Sequence, residues 1–392
     1  MTAAARAVPR LPAGVWALGV VSFFMDGSSE LIHSLLPVFL VGTLGASAAA
    51  LGWIEGLAEG LASLVKFFSG VASDRLARRK TLVVIGYALA ALSKPLFPLA
   101  GGAGAVLAAR LIDRTGKGIR GAPRDALVAD LTDERQRGAA FGLRQALDTA
   151  GAVGGPLAAV ALMIAFAGEV RAVLWFALIP AALAVLVLLV FVREPARRMA
   201  PSPRTLPRWA ALRALPAPLW MLLVATAPFT LARFSEAFLL LRAQGAGLAD
   251  AKVPLVLATM SAAYAASAYP AGRLSDRVPR GRLLVAGCGV LVVADLCLAA
   301  APSLAWIFGG AVLWGLHMGL TEGLVAALVA DRAPPAQRGA AFGLLHLQRG
   351  VLLLAASVLA GLLWQHAGAA ATFGAGAALA AAGAIALLAA RA

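Results

Sequence analysis

From Val351 to Leu388 the chain contains no Lys, Arg, Asp or Glu. No other feature narrows the possible folds so far. One helical crossing of a bilayer takes about 20 residues, so this stretch is nearly long enough for two. Three further segments are almost as bare: 81–109 with one Lys, 172–192 with no charge, and 283–314 with one Asp. Hydrocarbon offers no water to backbone N–H and C=O groups, so repeated apolar runs of this length must be helices. Composition agrees. Hydrophobic residues make up 61% and charged residues 14%, against roughly 45–50% and about 25% in a soluble domain.

A net charge of +15 would point to nucleic acid in a soluble protein, but its distribution argues otherwise. Basic residues gather at 75–80, 193–213 and 273–282, with smaller groups at 135–137 and 332–338. The connections near 42–50, 101–104 and 301–303 hold no Lys or Arg. This alternation follows the positive-inside rule and excludes a nucleic-acid partner. It predicts a multi-pass protein of a bacterial plasma membrane with both termini in the cytoplasm. Arg6 and Arg10 precede an apolar run that continues through Asp26 and Glu30 to Val41, too long and too charged for a cleaved signal peptide. Cys288 and Cys297 lie nine residues apart in one apolar segment, on opposite helix faces, as packing residues and not a disulfide or metal site.

The breaks between apolar runs give twelve helices, at about 14–41, 47–73, 81–100, 103–130, 138–166, 171–192, 217–243, 252–274, 282–300, 304–330, 338–366 and 370–390. The chain also repeats itself. Gly70–Lys80 (GVASDRLARRK) returns as Gly272–Arg282 (GRLSDRVPRGR), 202 residues later. ALVAD at 126–130 returns at 327–331, and QRGAAFGL at 136–143 returns at 337–344, each 201 residues later. The predicted fold is therefore all-α and integral to the membrane, with twelve transmembrane helices in two pseudo-symmetric six-helix bundles. Residues 1–192 and 216–392 form the bundles, and 193–215 is a cytoplasmic basic linker. Two related bundles with a gap between them suit alternating access.

Charge recurs inside these spans at helical spacing. In the fourth, Arg110, Asp113, Arg114, Lys117, Arg120, Arg124 and Asp125 fall within an arc of about 140°, and Leu111, Ile112, Thr115 and Ile119 fill the other side. Unpaired charge at the membrane centre costs ~2.5 kcal/mol or more, so this face must line water or partners. Asp26, Glu30 and His33 share a face of the first span, and Glu55, Glu59 and Lys66 one of the second. Arg144 and Asp148 stand at i,i+4 in the fifth. Bases and acids are nearly balanced in this half, which favours a paired network over a bare anion pocket. The second half is sparser, with Arg233 and Glu236, His317 and Glu322, and His346 and Arg349. The charged half is expected to handle ion coupling and the plainer half to line more of the substrate path. For Glu55 and Glu59, a salt-bridge role and a transport role stay equally open.

Several of these residues resemble the major facilitator superfamily. Gly70, Asp74, Arg75, Arg78, Arg79 and Lys80, echoed by Gly272, Asp276 and Arg277, look like its signature loop. Gly142, Gly151, Gly155 and Pro156 resemble the antiporter motif of proton-linked drug and metabolite exporters, with Ala159 in place of the final Gly. Arg114-x2-Lys117-Gly118 is similar to the family's conserved-Arg motif, with Lys117 where a Gln is usual. The resemblance implies a gate at the signature loop, and position toward the cytoplasmic end of the fourth span adds Arg120, Arg124 and Asp125 to it. The charged faces are expected to supply proton coupling through Asp26, Glu30 and Asp148, and a substrate cavity containing His33, Arg114, Lys117, Arg233, Glu236, His317 and Glu322.

The implied function is secondary active transport by alternating access, namely proton-coupled efflux of a small organic compound by a monomer in the bilayer. One alternative is a proton-coupled symporter importing an anionic metabolite, which Arg114, Lys117 and Arg120 would suit. Another is a non-transporting receptor or scaffold of the same fold. The sequence has no GxxxxGK[ST] loop, metal-ligand cluster or nucleophile elbow, so no enzymatic activity, cofactor or metal is expected.

Overall fold

The computed structural model describes residues 11–75, 79–133, 136–194, 215–275, 277–334 and 337–390. Helix α1 is Ala13–Pro37, continued by a π-helical turn at Val38–Thr43. Next come α2 (Ala48–Arg75), α3 (Arg79–Ser93, with a short turn at Leu96–Leu99), α4 (Ala103–Asp130) and α5 (Arg137–Ala165). Helix α6 is made of Val170–Trp175 and Leu178–Phe191, and α7 of Ala217–Ala232 and Ala237–Gly245. Helices α8 (Pro254–Leu274), α9 (Arg280–Ala300) and α10 (Leu304–Arg332) follow. The last helical stretch, Arg338–Ala389, turns at Gly368, where φ is 82°. That left-handed backbone suits a residue without a Cβ and separates α11 (338–367) from α12 (369–389).

The twelve expected helices are present. Among the described residues, nine helical stretches are long and apolar enough to cross a membrane, the bent 340–389 stretch being one. Helix α4 carries too much charge to qualify by composition, yet it is as long as the others and sits inside the bundle. Helix α7 departs from expectation. The sequence reads as one span over 217–243, but the helix stops at Ala232 and restarts at Ala237. Interrupted spans are tolerated where the freed backbone is buried in protein; here the Ser235 N–H donates to Ser357 Oγ of α11 at 3.2 Å.

The internal repeat has a structural counterpart. Arg79, at the start of α3, donates to Asp130 Oδ2 at the end of α4 at 2.6 Å. Arg280, at the start of α9, pairs in the same way with Asp331 at the end of α10. Both aspartates close the repeated ALVAD segments, so one ion pair staples the same two helix ends in each half.

The halves meet most closely along α2 and α11. An added Cβ at Gly56 would lie 2.9 Å from the Leu354 carbonyl oxygen, and one at Gly60 3.2 Å from that of Gly350. Small residues permit this backbone approach, which is how helices gain packing energy in lipid. At the end away from the basic connections, Leu31, Leu35 and Leu36 of α1 and Phe39 of the π-helical turn join Leu51 and Ile54 of α2 and Phe238 and Leu241 of α7 in one buried apolar cluster. That cluster seals one end of the space between the halves.

Candidate functional site

Between the two bundles lies a cavity of about 530 Å³. Its wall includes Lys66, Asp125, Arg144, His346 and Arg349, all within about three turns of the α2–α3, α4–α5 or α10–α11 connections. The cavity therefore opens toward the basic loops and is closed by the apolar cluster at the other end.

Helices α1, α4 and α5 supply most of its charge. Asp26, Glu30 and His33 follow at i, i+4 and i+7, so α1 presents them one above another along the cavity. At the closed end, His33 Nδ1 lies 3.3 Å from Glu30 Oε2 and its Nε2 lies 3.3 Å from Glu55 Oε2. The Glu55 carboxylate accepts three hydrogen bonds from the Arg110 guanidinium, the shortest 2.7 Å, and one from Ser235 Oγ at 3.0 Å. That last bond crosses from one half to the other at the break in α7. Arg114 NH1 stands 3.3 Å from Glu59 Oε1. Behind this layer, Lys94 Nζ donates to Asp113 Oδ1 at 2.8 Å and to Ser29 Oγ at 2.9 Å.

Toward the open end, Arg120 NH2 lies 3.9 Å from Asp26 Oδ1, with its guanidinium 4.6 Å from the centre of the Tyr87 ring. Arg124 reaches Asp148 at 3.5 Å and Asp125 at 3.2 Å, and Arg144 reaches the same two carboxylates at 3.7 Å each. The second half adds one compact group: Glu322 pairs with Arg233 and, at 3.0 Å, with Arg349.

The charged face of α4 thus forms buried ion pairs, and most of its residues touch the cavity. Of the residues expected there, His33, Arg114, Lys117, Glu236 and Glu322 line the wall, as do Asp26, Glu30, Asp148, Arg120, Arg124 and Asp125. Two stand elsewhere. His317 is fully buried, its Nδ1 3.0 Å from the Gly287 carbonyl oxygen and its ring edge-on to Phe229. It turns toward α7 and α9, filling a packing position. Arg233 does not line the cavity; it pairs with Glu322, which does, and its guanidinium lies 5.8 Å from the centre of the Phe229 ring. The share of the two halves also departs from expectation. The charged half lines most of the cavity, because α1, α4 and α5 all aim polar faces inward, while α9 and α12 contribute nothing to it.

In the signature loop, Arg78 and Asp276 lie outside the described residues, as do the side chains of Asp74 and Arg75 and most of the 193–215 linker. Lys80 Nζ donates to the Leu189 carbonyl oxygen at 3.2 Å. At Gly70 an added Cβ would meet Ala122 Cβ of α4 at 3.5 Å, an ordinary contact distance, so the glycine is not required there for packing. Gly272 and Arg277 are exposed. In α5, Gly151 and Gly155 abut the α1 backbone, whereas Gly142 faces open space, so the glycines of that motif do not share one packing role. Pro156 is buried within the helix.

Sequence reasoning passed over Asp130 and Asp331, although their place in the repeated ALVAD was a usable signal. It also passed over Ser235, for which no motif stands.

A family model described as Major Facilitator Superfamily matches residues 18–249 and again 237–392. An uncharacterized MFS-type transporter of Methanocaldococcus jannaschii is 32% identical over 365 residues, covering 91% of this chain and 89% of the relative. The multidrug resistance protein MdtH of Photorhabdus laumondii is 31% identical over 140 residues, which cover 36% of this chain and 33% of that protein. Among solved structures, a POT family transporter in complex with a thioalcohol-conjugated peptide superposes with a TM-score of 0.80 at 13% identity, over 96% of this chain and 95% of the other. That likeness is one of fold.

Proposed function

The chain belongs to the Major Facilitator Superfamily, and from that premise we propose that it exports a small organic compound in exchange for protons by alternating access. That it is a multi-pass membrane transporter follows from the family. The direction, the coupling ion and the residue roles are our reading. The observation that carries it is the set of carboxylates facing the cavity from α1 and α5. Asp26, Glu30 and Asp148 each contact a base (Arg120, His33, and Arg124 with Arg144) that a proton or a rearrangement of the halves would release. A carboxylate held by a movable base can exchange that base for a proton, which is the step a coupled carrier needs. The partial match to MdtH, a multidrug resistance protein by name, supports export. In this reading the chain works as a monomer in a bacterial plasma membrane, with the basic connections and both termini in the cytoplasm and the cavity open to that side.

The test is reconstitution into vesicles carrying an imposed proton gradient, screened with cationic, zwitterionic and anionic compounds. Substrate movement against an opposing proton flux is the expected result, and Asp26→Asn should uncouple it. Substrate and protons moving together would instead establish import. The observation favouring that second reading is Lys117, a cation exposed to the cavity and, among the described residues, not in direct ion-pair contact with a carboxylate. Ligand binding without any flux would leave a receptor of the same fold.

A further inference from the structure

Asp295 of α9 stands away from the cavity wall. It is fully buried, and neither carboxyl oxygen has a hydrogen-bond partner among the described residues. Gly376 of α12 makes room for it: an added Cβ there would lie 2.5 Å from Asp295 Oδ2 and 3.0 Å from Phe234 Cε1. Phe234 belongs to the break in α7, and its ring packs with those of Phe238, Trp314 and Phe373. The carboxyl group is thus walled by rings and helix backbone, where an ionised group without a partner is costly.

A cation stands about one turn away. Arg242, in the outer segment of α7, donates to the carbonyl oxygens of Leu298 at 3.0 Å and Ala301 at 3.4 Å. Leu298 follows Asp295 by three residues, about 4.5 Å along the helix. Among the described residues no carboxylate pairs with Arg242; Asp250, at the same end, accepts from Gln244 at 2.9 Å. The other titratable groups of α7, α9 and α10 are engaged elsewhere. His317 of α10 is held at the Gly287 carbonyl, two turns back along α9, and Arg233 pairs with Glu322. Glu236 lines the cavity, and Arg280 and Asp331 pair at the far ends of α9 and α10, where Arg282 and Arg332 also lie. From 369 to 389, α12 has no charged residue.

We propose that Asp295 binds a proton while the outer end is closed and exchanges it for Arg242 when that end parts, so that acid outside holds the carrier in the state described. The outer end is the one sealed by the apolar cluster, and the switch rests on the alternating-access reading and the orientation proposed above. Opening releases Ser235 from Glu55, which frees the break in α7 to shift Phe234 and Arg242 together. The guanidinium leaves the two carbonyl oxygens for the carboxyl group, and the O–H proton passes to water entering from that end. Closing reverses the steps. The path is short, because Asp295 lies five residues from the end of α9 at Ala300. The proton enters and leaves on one side, so it regulates the cycle without driving it. The coupling carboxylates Asp26, Glu30 and Asp148 face the cavity and are separate from it.

Two measurements on purified protein test the switch. Infrared spectra at neutral pH should show the carbonyl band of a protonated carboxylic acid that Asp295→Asn removes. Spin labels on Thr43→Cys and Ala249→Cys, exposed on opposite halves at the outer end, report whether that end is closed, with Cys288 and Cys297 replaced by Ala. Lowering the pH should raise the closed population, by up to about tenfold per pH unit for one proton. Asp295→Asn and Arg242→Gln should stay closed and lose that one-proton part of the response, and Arg242→Lys should keep it. An acid band unchanged in Asp295→Asn, or an unchanged pH response in Asp295→Asn or Arg242→Gln, overturns the switch. Substrate flux in vesicles under either of those results leaves the carrier reading standing without it. An outer end that never parts at any pH, with no flux of any screened compound, overturns both.

Discussion

Lys94 and Asp113 face each other at 2.8 Å with side chains almost wholly excluded from solvent, so neither can lose its partner cheaply. Removing one member of a buried pair leaves an uncompensated charge and costs ~3–5 kcal/mol, whereas replacing both with apolar groups is often neutral or stabilising. Asp113→Asn should therefore lower thermal stability strongly in detergent, and the double variant Asp113→Leu with Lys94→Met should regain most of the loss. A double variant no more stable than the single one would show that the pair holds α3 and α4 together through more than its charge. The same residues mark how far sequence reading reaches. Helical spacing shows that Asp113 lies on a charged face of α4, because period is a property of one helix. It does not show that the partner is Lys94, beside Pro95 in another span, because pairing depends on how helices are rotated and crossed. Glu55 has the same limit: its spacing in α2 is legible, its bridge to Ser235 is not.

At the scale of elements, α5 lies against α1 through Gly151 and Gly155. A Cβ at Gly155 would sit 2.5 Å from the Gly27 carbonyl oxygen, 2.9 Å from Leu31 N and 3.1 Å from Glu30 Cβ. The nearest obstacles are backbone atoms that cannot swing away, so Gly155→Ala must separate the helices and shift Glu30. Overpacking of this kind costs ~1–3 kcal/mol, while Gly154→Ala, with nothing within 4 Å, should stay within about 0.5 kcal/mol of the parent. Thermal unfolding of both variants decides the matter; equal losses would mean that α1 and α5 yield freely. The element-level fold was largely open to reading, since apolar run length and Gly/Pro punctuation fix where spans begin and end. The break in α7 was not. Arg-Phe-Ser-Glu at 233–236 contains neither Gly nor Pro, and the helix is interrupted by tertiary contacts, Ser235 with Glu55 and Ser357. His317 misled for a related reason: a polar residue in a span is inward-facing, but inward includes the packing between helices as well as the cavity.

For the whole molecule, the asymmetry of the cavity defines one state of a cycle. The end near the basic loops is open, and the far end is closed by the apolar cluster and by the Ser235–Glu55 bond between halves. Alternating access requires that far end to part while the halves stay hinged, and the glycine-lined contact of α2 with α11 lets them pivot without unpacking. A covalent link across the closed end should therefore hold the carrier in the state described. Gly42, in the π-helical turn after α1, and Gln244, near the end of α7, belong to different halves, and an added Cβ at Gly42 would lie 3.2 Å from Gln244 Nε2. Because Nε2 is the tip of the Gln244 side chain, the two Cβ atoms can stand well beyond the separation of about 3.5–4.5 Å that a direct disulfide needs, so a short bifunctional methanethiosulfonate is used to bridge them. With Cys288 and Cys297 replaced by Ser, the double variant Gly42→Cys, Gln244→Cys should be cross-linked by that reagent without cavity ligands. Transport should stop, and a reductant should restore it. Each single-cysteine variant should transport equally before and after the same treatment, which separates the effect of the link from that of the substitution. A cross-linked protein that still turns over at its reduced rate would mean that the two halves need not part at this end, and rocking about α2 and α11 would then fail as the description of its cycle.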